Sequence, residues 1–210
     1  MTDFSAVVRA QRACRGFTDA PVTDADLAAV LDAAVHAPSA ENRQPWEFVV
    51  VRDAATRAAI GALMEQAWEA GGREFSRDRL SPGMLADVDR GMTGGFAGAP
   101  VHVVVAVDTE RGLAAAAAES IYPAVQNLLL AATDLGLGSA LTTIALGAAD
   151  ELRDLVGLPP AVRPMAVVPI GHPARALGPP RRAPFGVRTH RERYGTPWSG
   201  GQGDSTVGSS

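Results

Sequence analysis

Apolar positions along this chain recur with two periods, and segments of the two kinds alternate. In PVTDADLAAVLDAAVHA, residues Leu27, Val30, Leu31, Ala34 and Val35 fall on one stripe of a 3.6-residue helix. Thr23 is placed to cap it, with Asp26 three residues on approximating a capping box, and Pro38 ends it by biasing Ala37 out of the α region. Phe48–Val51 is then a short β-branched run between Pro45 and Asp53, the pattern of a strand buried on both faces. Val101–Val107 and Met165–Ile170 read the same way, and Ser139–Ile144 supplies a further strand. Helical spacing is found over Phe4–Cys14, over Ala54–Ala70 up to Gly71-Gly72, weakly over Met84–Arg90, and over Ala148–Val156. The longest helical signal, Leu113–Leu135, is apolar nearly all round. Glu119, Gln126, Asn127 and Asp134 interrupt it, which predicts the central helix of a core rather than a membrane span. Pro123 cannot donate to the carbonyl of Glu119, so a kink or a helix start is expected nearby.

Between the helical stripe ending at Val35 and the strand-like run Phe48–Val51, the chain carries a dense polar loop. Ser39, Glu41, Asn42, Arg43 and Gln44 crowd between two rigid elements, a good place to hold a flat polar ligand; an ordinary helix-to-strand turn reads equally well from these residues alone. Gly71–Ala99 has glycine at 71, 72, 83, 91, 94, 95 and 98 and is expected to be a partly helical excursion or lid. The last twelve residues, 199–210, are Gly/Ser-rich and predict disorder.

Composition narrows the classes. With 210 residues the chain can bury a sizeable core, and 47% hydrophobic against 20% charged residues is ordinary for a globular protein. A net charge of −4 gives no general attraction to nucleic acid or anionic membrane. All nineteen basic residues are Arg, and beside the heavy use of Ala this reads as a compositional bias without function. The single Cys14 excludes an intramolecular disulfide and suits a reducing compartment, and MTDFSAVVRAQR shows no secretory signal, so a cytoplasmic location is expected.

The candidate chemistry is basic. Arg9, Arg12 and Arg15 form either a solvated face or an anion site, since guanidinium forks match phosphate oxygens bidentately. From Arg175 to Arg193 six arginines face the single acid Glu192, with few stacking aromatics, which favours a localised phosphate site over a nucleic-acid tail. His102 in its apolar run reads as a core histidine, and no metal-ligand spacing of the HxxxH or CxxC kind occurs. Gly136-Leu137-Gly138 follows a helix, whereas a dinucleotide fingerprint follows a strand. There is no Ser-His-Asp or Cys-His set, and Cys14 is expected to pack rather than react; no catalytic side chain is assigned.

Taken in order, QRACRGF, PVTDADLAAVLDAAVHAPSAENRQPWEFVVV, AVQNLLLAATDLGLGS, VVPIGHP and RRAP resemble the FMN-dependent nitroreductase family over roughly Phe4–Tyr194, with APSxxNxQPW the most specific part. The resemblance implies a single α+β domain over 1–198, a mainly antiparallel sheet wrapped by helices, in an intertwined homodimer with FMN at the interface. Gln11, Arg12, Ala13 and Arg15 match the segment that grips the phosphate, ribityl chain and pyrimidine edge, with Arg15 the candidate cation beside N1 and O2. Pro38, Ser39, Ala40 and Asn42, with Gln44 close by, match the loop reaching the flavin from the other subunit. Leu141, Thr142 and Thr143 match the loop over the ring, where backbone N–H groups approach N5 and O4, and Arg181 or Arg182 matches the C-terminal phosphate ligand. Gln11 stands where many members have Arg, and Ala13 where many have Ser. The implied activity passes hydride from NADH or NADPH to a nitroaromatic, quinone or related small acceptor by a ping-pong scheme, without nucleic acid, membrane or metal. Reductive dehalogenation, azoline oxidation or flavin breakdown on the same scaffold, and a non-catalytic flavin-binding protein, are the alternatives.

Overall fold

The computed structural model describes residues 3–198. Its helices are α1 (Phe4–Ala10), α2 (Asp24–Val35), α3 (Ala54–Ala67), α4 (Arg73–Arg77), α5 (Pro82–Arg90), α6 (Ala117–Asp134) and α7 (Ala149–Leu155). The strands are β1 (Trp46–Val51), β2 (Val101–Asp108), β3 (Gly138–Ser139) and β4 (Val162–Gly171). They form one antiparallel sheet in the order β1-β2-β4-β3.

The near-continuous valines of β2 are explained by burial on both faces. Val101, Val103, Val105 and Val107 pack with Leu27 and Val30 of α2 and with Ile121, Val125 and Leu128 of α6. Val104, pointing the other way, packs with Ile60 and Met64 of α3 and Leu152 of α7. Each such valine stabilises the fold by about 1.5–3 kcal/mol through burial, before the entropy of ordering it. Opposite Val105 and Ala106 the register with β4 slips by one residue, and Pro164, which has no N–H to give the ladder, sits at that irregularity. No helix among the described residues is long and apolar enough to cross a membrane.

Several elements differ from the sequence expectation. β1 is an edge strand rather than a doubly buried one: Val50 is 37% exposed and Phe48 and Val49 are half-buried, because the helical layers do not fully cover the sheet's rim. Helix α1 stops at Ala10, so Arg12, Cys14 and Arg15 are not helical. The Cys14 N–H donates to the Ser139 carbonyl at 2.9 Å, and Ala13 makes a parallel bridge to Ser139, so sheet pairing outcompetes helix propensity here. The expected strand Ser139–Ile144 is shortened to Gly138–Ser139 and one bridge, Thr142 to Val167, before the chain turns helical at Ile144. Helix α6 begins at Ala117 and carries Pro123 inside it.

The glycine-rich excursion is structured. Helix α3 does not end at Gly71-Gly72 but passes through a wide turn, Trp68–Gly72, into α4; a second such turn, Gly91–Gly95, follows α5. The Trp68 indole N–H donates to Asp89 at 3.0 Å and ties the first turn to α5.

Packing divides the chain after Pro179. The first unit, Met1–Pro179, carries the sheet and helices above. The second starts at Pro180; its described part holds one short helical turn, Phe185–Arg188, a His190–Tyr194 ring contact, and the Arg191 guanidinium over the Trp198 ring. The predicted disordered tail, 199–210, lies outside the described residues.

Candidate functional site

The extended chain after α1 builds a fifth, strand-like rim beside β3. It runs parallel to Ser139 at Ala13 and antiparallel to Pro173 at Phe17, and the Ala174 N–H donates to the Gly16 carbonyl at 3.0 Å. Gly138 permits this approach, because a Cβ there would lie 2.7 Å from Cys14 Sγ. A cleft of about 210 Å³ opens along the rim, with Arg12, Arg15, Arg90 and Arg175 around the carboxylate of Asp87.

That carboxylate is shared. Its Oδ2 accepts from Arg15 Nη1 at 2.9 Å, and its Oδ1 accepts from Arg90 at 2.9 Å and Arg175 at 3.0 Å. The Arg15 and Asp87 side chains are only 18% and 16% exposed, whereas Arg90 and Arg175 reach solvent at 58% and 68%. Arg12 is anchored by one bond, Nη1 to the Gly178 carbonyl at 2.9 Å, leaving further donors. Four guanidiniums against one acid make the cleft an anion receptor, and a phosphate-bearing ligand matches their fork geometry. Gln11 closes α1 with its N–H on the Val7 carbonyl. Cys14 also lines the cleft, but burial pushes its thiol up and its Sγ donates to the Gly16 carbonyl, so it stays protonated and unreactive.

The loop before β1 is a second, separately built feature. Glu41, Asn42 and Gln44 all have φ near +50°, a left-handed conformation costing non-glycine residues of order 1 kcal/mol or more each. Internal bonds hold it: the Gln44 N–H donates to Ser39 Oγ at 3.0 Å, and Gln44 Nε2 donates to Asn42 Oδ1 at 3.1 Å. Pro38, Asn42 and Gln44 are exposed, and Ser39 and Ala40 half-buried. The left-handed backbone is thus concentrated in an exposed polar loop held by its own hydrogen bonds.

Leu141, Thr142 and Thr143 follow β3, on the same edge as Ala13. Thr142 N–H donates to the Val167 carbonyl at 3.0 Å, so its amide is committed; Leu141 and Thr143 are exposed and free to present theirs. Arg181 and Arg182 are exposed residues of the second unit.

The expected residues therefore fall into groups. Arg12, Ala13 and Arg15 share the cleft, Leu141–Thr143 continue its edge, and the 38–44 loop lies elsewhere. Between Trp46 and Ser139 the ladder gives about six residues of rise and about four strand spacings to the Ala13 rim, roughly 25–30 Å in all. One three-ring heterocycle cannot touch both segments of the same chain. Sequence reading missed Asp87 and Arg90, which lie in the glycine-rich stretch, and gave Arg175 no specific place; the only local signal was the i, i+3 spacing of Asp87 and Arg90. Among the described residues no group of His, Cys, Asp and Glu could hold a metal ion.

An antiparallel α+β sheet layered by helices, with a cationic cleft on a strand-like rim, defines a protein built to hold an anionic cofactor or substrate. The family model described as the nitroreductase family matches residues 8–172. The chain belongs to that family. It is 33% identical over 189 residues to an NADH dehydrogenase of Thermus thermophilus, covering 83% of this chain and 89% of the relative. To the FMN reductase (NAD(P)H) of Bacillus subtilis it is 29% identical over 197 residues, covering 87% and 71%. A crystal structure of a nitroreductase with bound FMN from Desulfitobacterium hafniense is 25% identical, superposes with a TM-score of 0.72, and covers 91% of this chain and all of that one.

Proposed function

We propose that this protein is an FMN-dependent oxidoreductase that passes reducing equivalents from NADH or NADPH to a nitroaromatic, quinone or related small acceptor by a ping-pong scheme in the cytoplasm. The observation that carries the reading is the cleft of Arg12, Arg15, Arg90 and Arg175 on the rim beside β3. Its residues fit FMN: the guanidiniums answer the phosphate and the electron-rich pyrimidine edge, and Gly138 lets the rim close up. Arg90 and Arg175 offset the charge lost where Gln11 replaces the family's usual Arg. When bound, FMN supplies the hydride chemistry, and the protein's part is to hold and orient it and to exclude competing reactions.

Arg12 and Arg15 are assigned to the phosphate–ribityl side and the pyrimidine edge. Leu141 and Thr143 present backbone N–H groups toward the ring, while Ala13 and Thr142 shape the wall behind them. Arg181 or Arg182 is assigned to the phosphate. Pro38, Ser39, Ala40, Asn42 and Gln44 serve the site of a second copy of the chain, which makes the protein a homodimer. Two features support this: the roughly 25–30 Å between segments in one chain, and a cleft of about 210 Å³, below the roughly 300–1,000 Å³ of clefts that bury a drug-sized ligand alone.

The test is reconstitution followed by anaerobic titration. The protein takes up FMN rather than FAD, the bound flavin bleaches with NADH or NADPH, and an acceptor panel restores its colour. Protein that takes up no FMN refutes the reading. Bound FMN that no nicotinamide reduces assigns a non-catalytic flavin-binding role instead.

A further inference from the structure

The structure assigns Asp87 as a positioning residue that fixes Arg15 at the cofactor cleft, an inference that rests on the FMN reading above. Arg15 has its guanidinium largely buried, and its observed side-chain bond goes to Asp87 Oδ2 at 2.9 Å. The remaining oxygen of the same carboxylate takes Arg90 and Arg175. An internal acid in an anion receptor opposes the ligand it serves, by simple charge. Its retention here has a mechanical explanation, because the same excursion grips Arg15 along its whole length. A Cβ at Gly91 would lie 3.1–3.2 Å from Arg15 Cβ, Cγ and Cδ, and one at Gly95 would collide with the Arg15 carbonyl oxygen. The turn Gly91–Gly95 thus lies against the stem and backbone of Arg15 while Asp87, four residues before Gly91, holds its head. Trp68 bonded to Asp89 anchors α5 against the turn that follows α3. The glycine-rich excursion is therefore a clamp on one cationic side chain.

Two opposite effects of removing the Asp87 charge separate positioning from plain electrostatics. If Asp87 were only a nearby negative charge, Asp87→Asn would raise the midpoint potential of bound FMN, because negative charge disfavours the reduced flavin. If Asp87 acts through Arg15, the substitution releases the guanidinium from the pyrimidine edge, and the potential falls. Affinity follows the same logic. Riboflavin and FMN share that edge, so both lose binding at least tenfold on Asp87→Asn, in contrast to a change that reads phosphate alone.

The experiment measures FMN and riboflavin affinity by fluorescence quenching, and the potential of bound FMN, in wild type, Asp87→Asn, Asp87→Glu, Arg15→Ala and the double variant Arg15→Ala, Asp87→Asn. The expected result is a lowered potential in Asp87→Asn, partial recovery in Asp87→Glu, and no difference in potential between Arg15→Ala and the double variant. The double variant removes both partners of the buried pair, so the comparison survives if the single substitution leaves Arg15 unpaired and the protein unfolded. A raised potential in Asp87→Asn, or a further shift in the double variant, overturns the inference while leaving the FMN reading intact. Wild type that binds no FMN overturns both.

Discussion

The backbone N–H of Ala40 donates to the side-chain oxygen of Ser120 at 3.1 Å, eighty residues away, and so ties the strained loop before β1 to the first turns of α6. Ser120 is 2% exposed, so water cannot readily replace it. Ser120→Ala leaves the amide unsatisfied, at a cost of about 1–3 kcal/mol. At about 2–4 °C per kcal/mol for a chain of this size, a fall of several degrees in Tm is expected by calorimetry. An unchanged Tm would show that the loop holds its left-handed residues without this bond.

Complementation tests the division of each site between two copies. A chain carrying Arg12→Ala and Arg15→Ala has a damaged cleft and an intact loop; one carrying Asn42→Ala has the reverse. Each alone should retain flavin poorly. Co-refolded, the mixed dimer contains one site with an intact cleft from one chain and an intact loop from the other, so flavin binding returns in part. No recovery, with mixed dimers shown to form, would place both segments on the flavin of one chain.

The phosphate is read by comparing FMN with riboflavin. A charge-assisted hydrogen bond contributes about 1.5–3 kcal/mol, so Arg12→Ala should weaken FMN at least tenfold, about 1.4 kcal/mol, and riboflavin much less. The same is expected of Arg181→Ala combined with Arg182→Ala. Arg191→Ala, whose guanidinium lies over Trp198, is the control with little effect. Equal weakening of both ligands would remove these arginines from the phosphate.

His102 predicts the acid limb of the stability profile. It is fully buried on β2, with Nε2 2.7 Å from the Phe96 carbonyl; since a carbonyl only accepts, Nε2 carries the proton of the neutral ring. Nδ1 has no partner among the described residues, and burial lowers the pKa to about 4 from an ordinary 6.5. The unfolded chain therefore takes up a proton that the fold refuses. Stability is fully present above pH 6.5 and is lost as pH falls through about 4, by up to about 3 kcal/mol. His102→Gln, which keeps a donor for Phe96, should flatten that part of a Tm-against-pH curve. An equally steep curve in the variant would assign the acid sensitivity to other groups.

Much of the fold is legible because burial writes itself into local pattern. The valines of β2, the stripe of α2 and the apolar girth of α6 need no partner to be recognised, since periodicity and hydrophobicity are properties of the segment itself. The motif APSxxNxQPW likewise marks the loop before β1, and Asn42 is a residue type that tolerates the left-handed backbone found there. Where reading failed, a distant partner decided. Residues 11–15 look like the end of a helix, but the Ser139 carbonyl draws them into an extended rim, and only the tertiary structure contains that carbonyl. Asp87 and Arg90 are an unremarked pair on a short helix until α5 folds back against Arg15, and Gly91 and Gly95 are merely flexible until Arg15 occupies the space a Cβ would take. Local pattern and motif alone sufficed for the layers, the family and most of the cationic inventory. The tertiary structure alone decided which cations share a cleft and which acid holds them, because charge placement depends on contacts between segments far apart in the chain, and no local spacing encodes those.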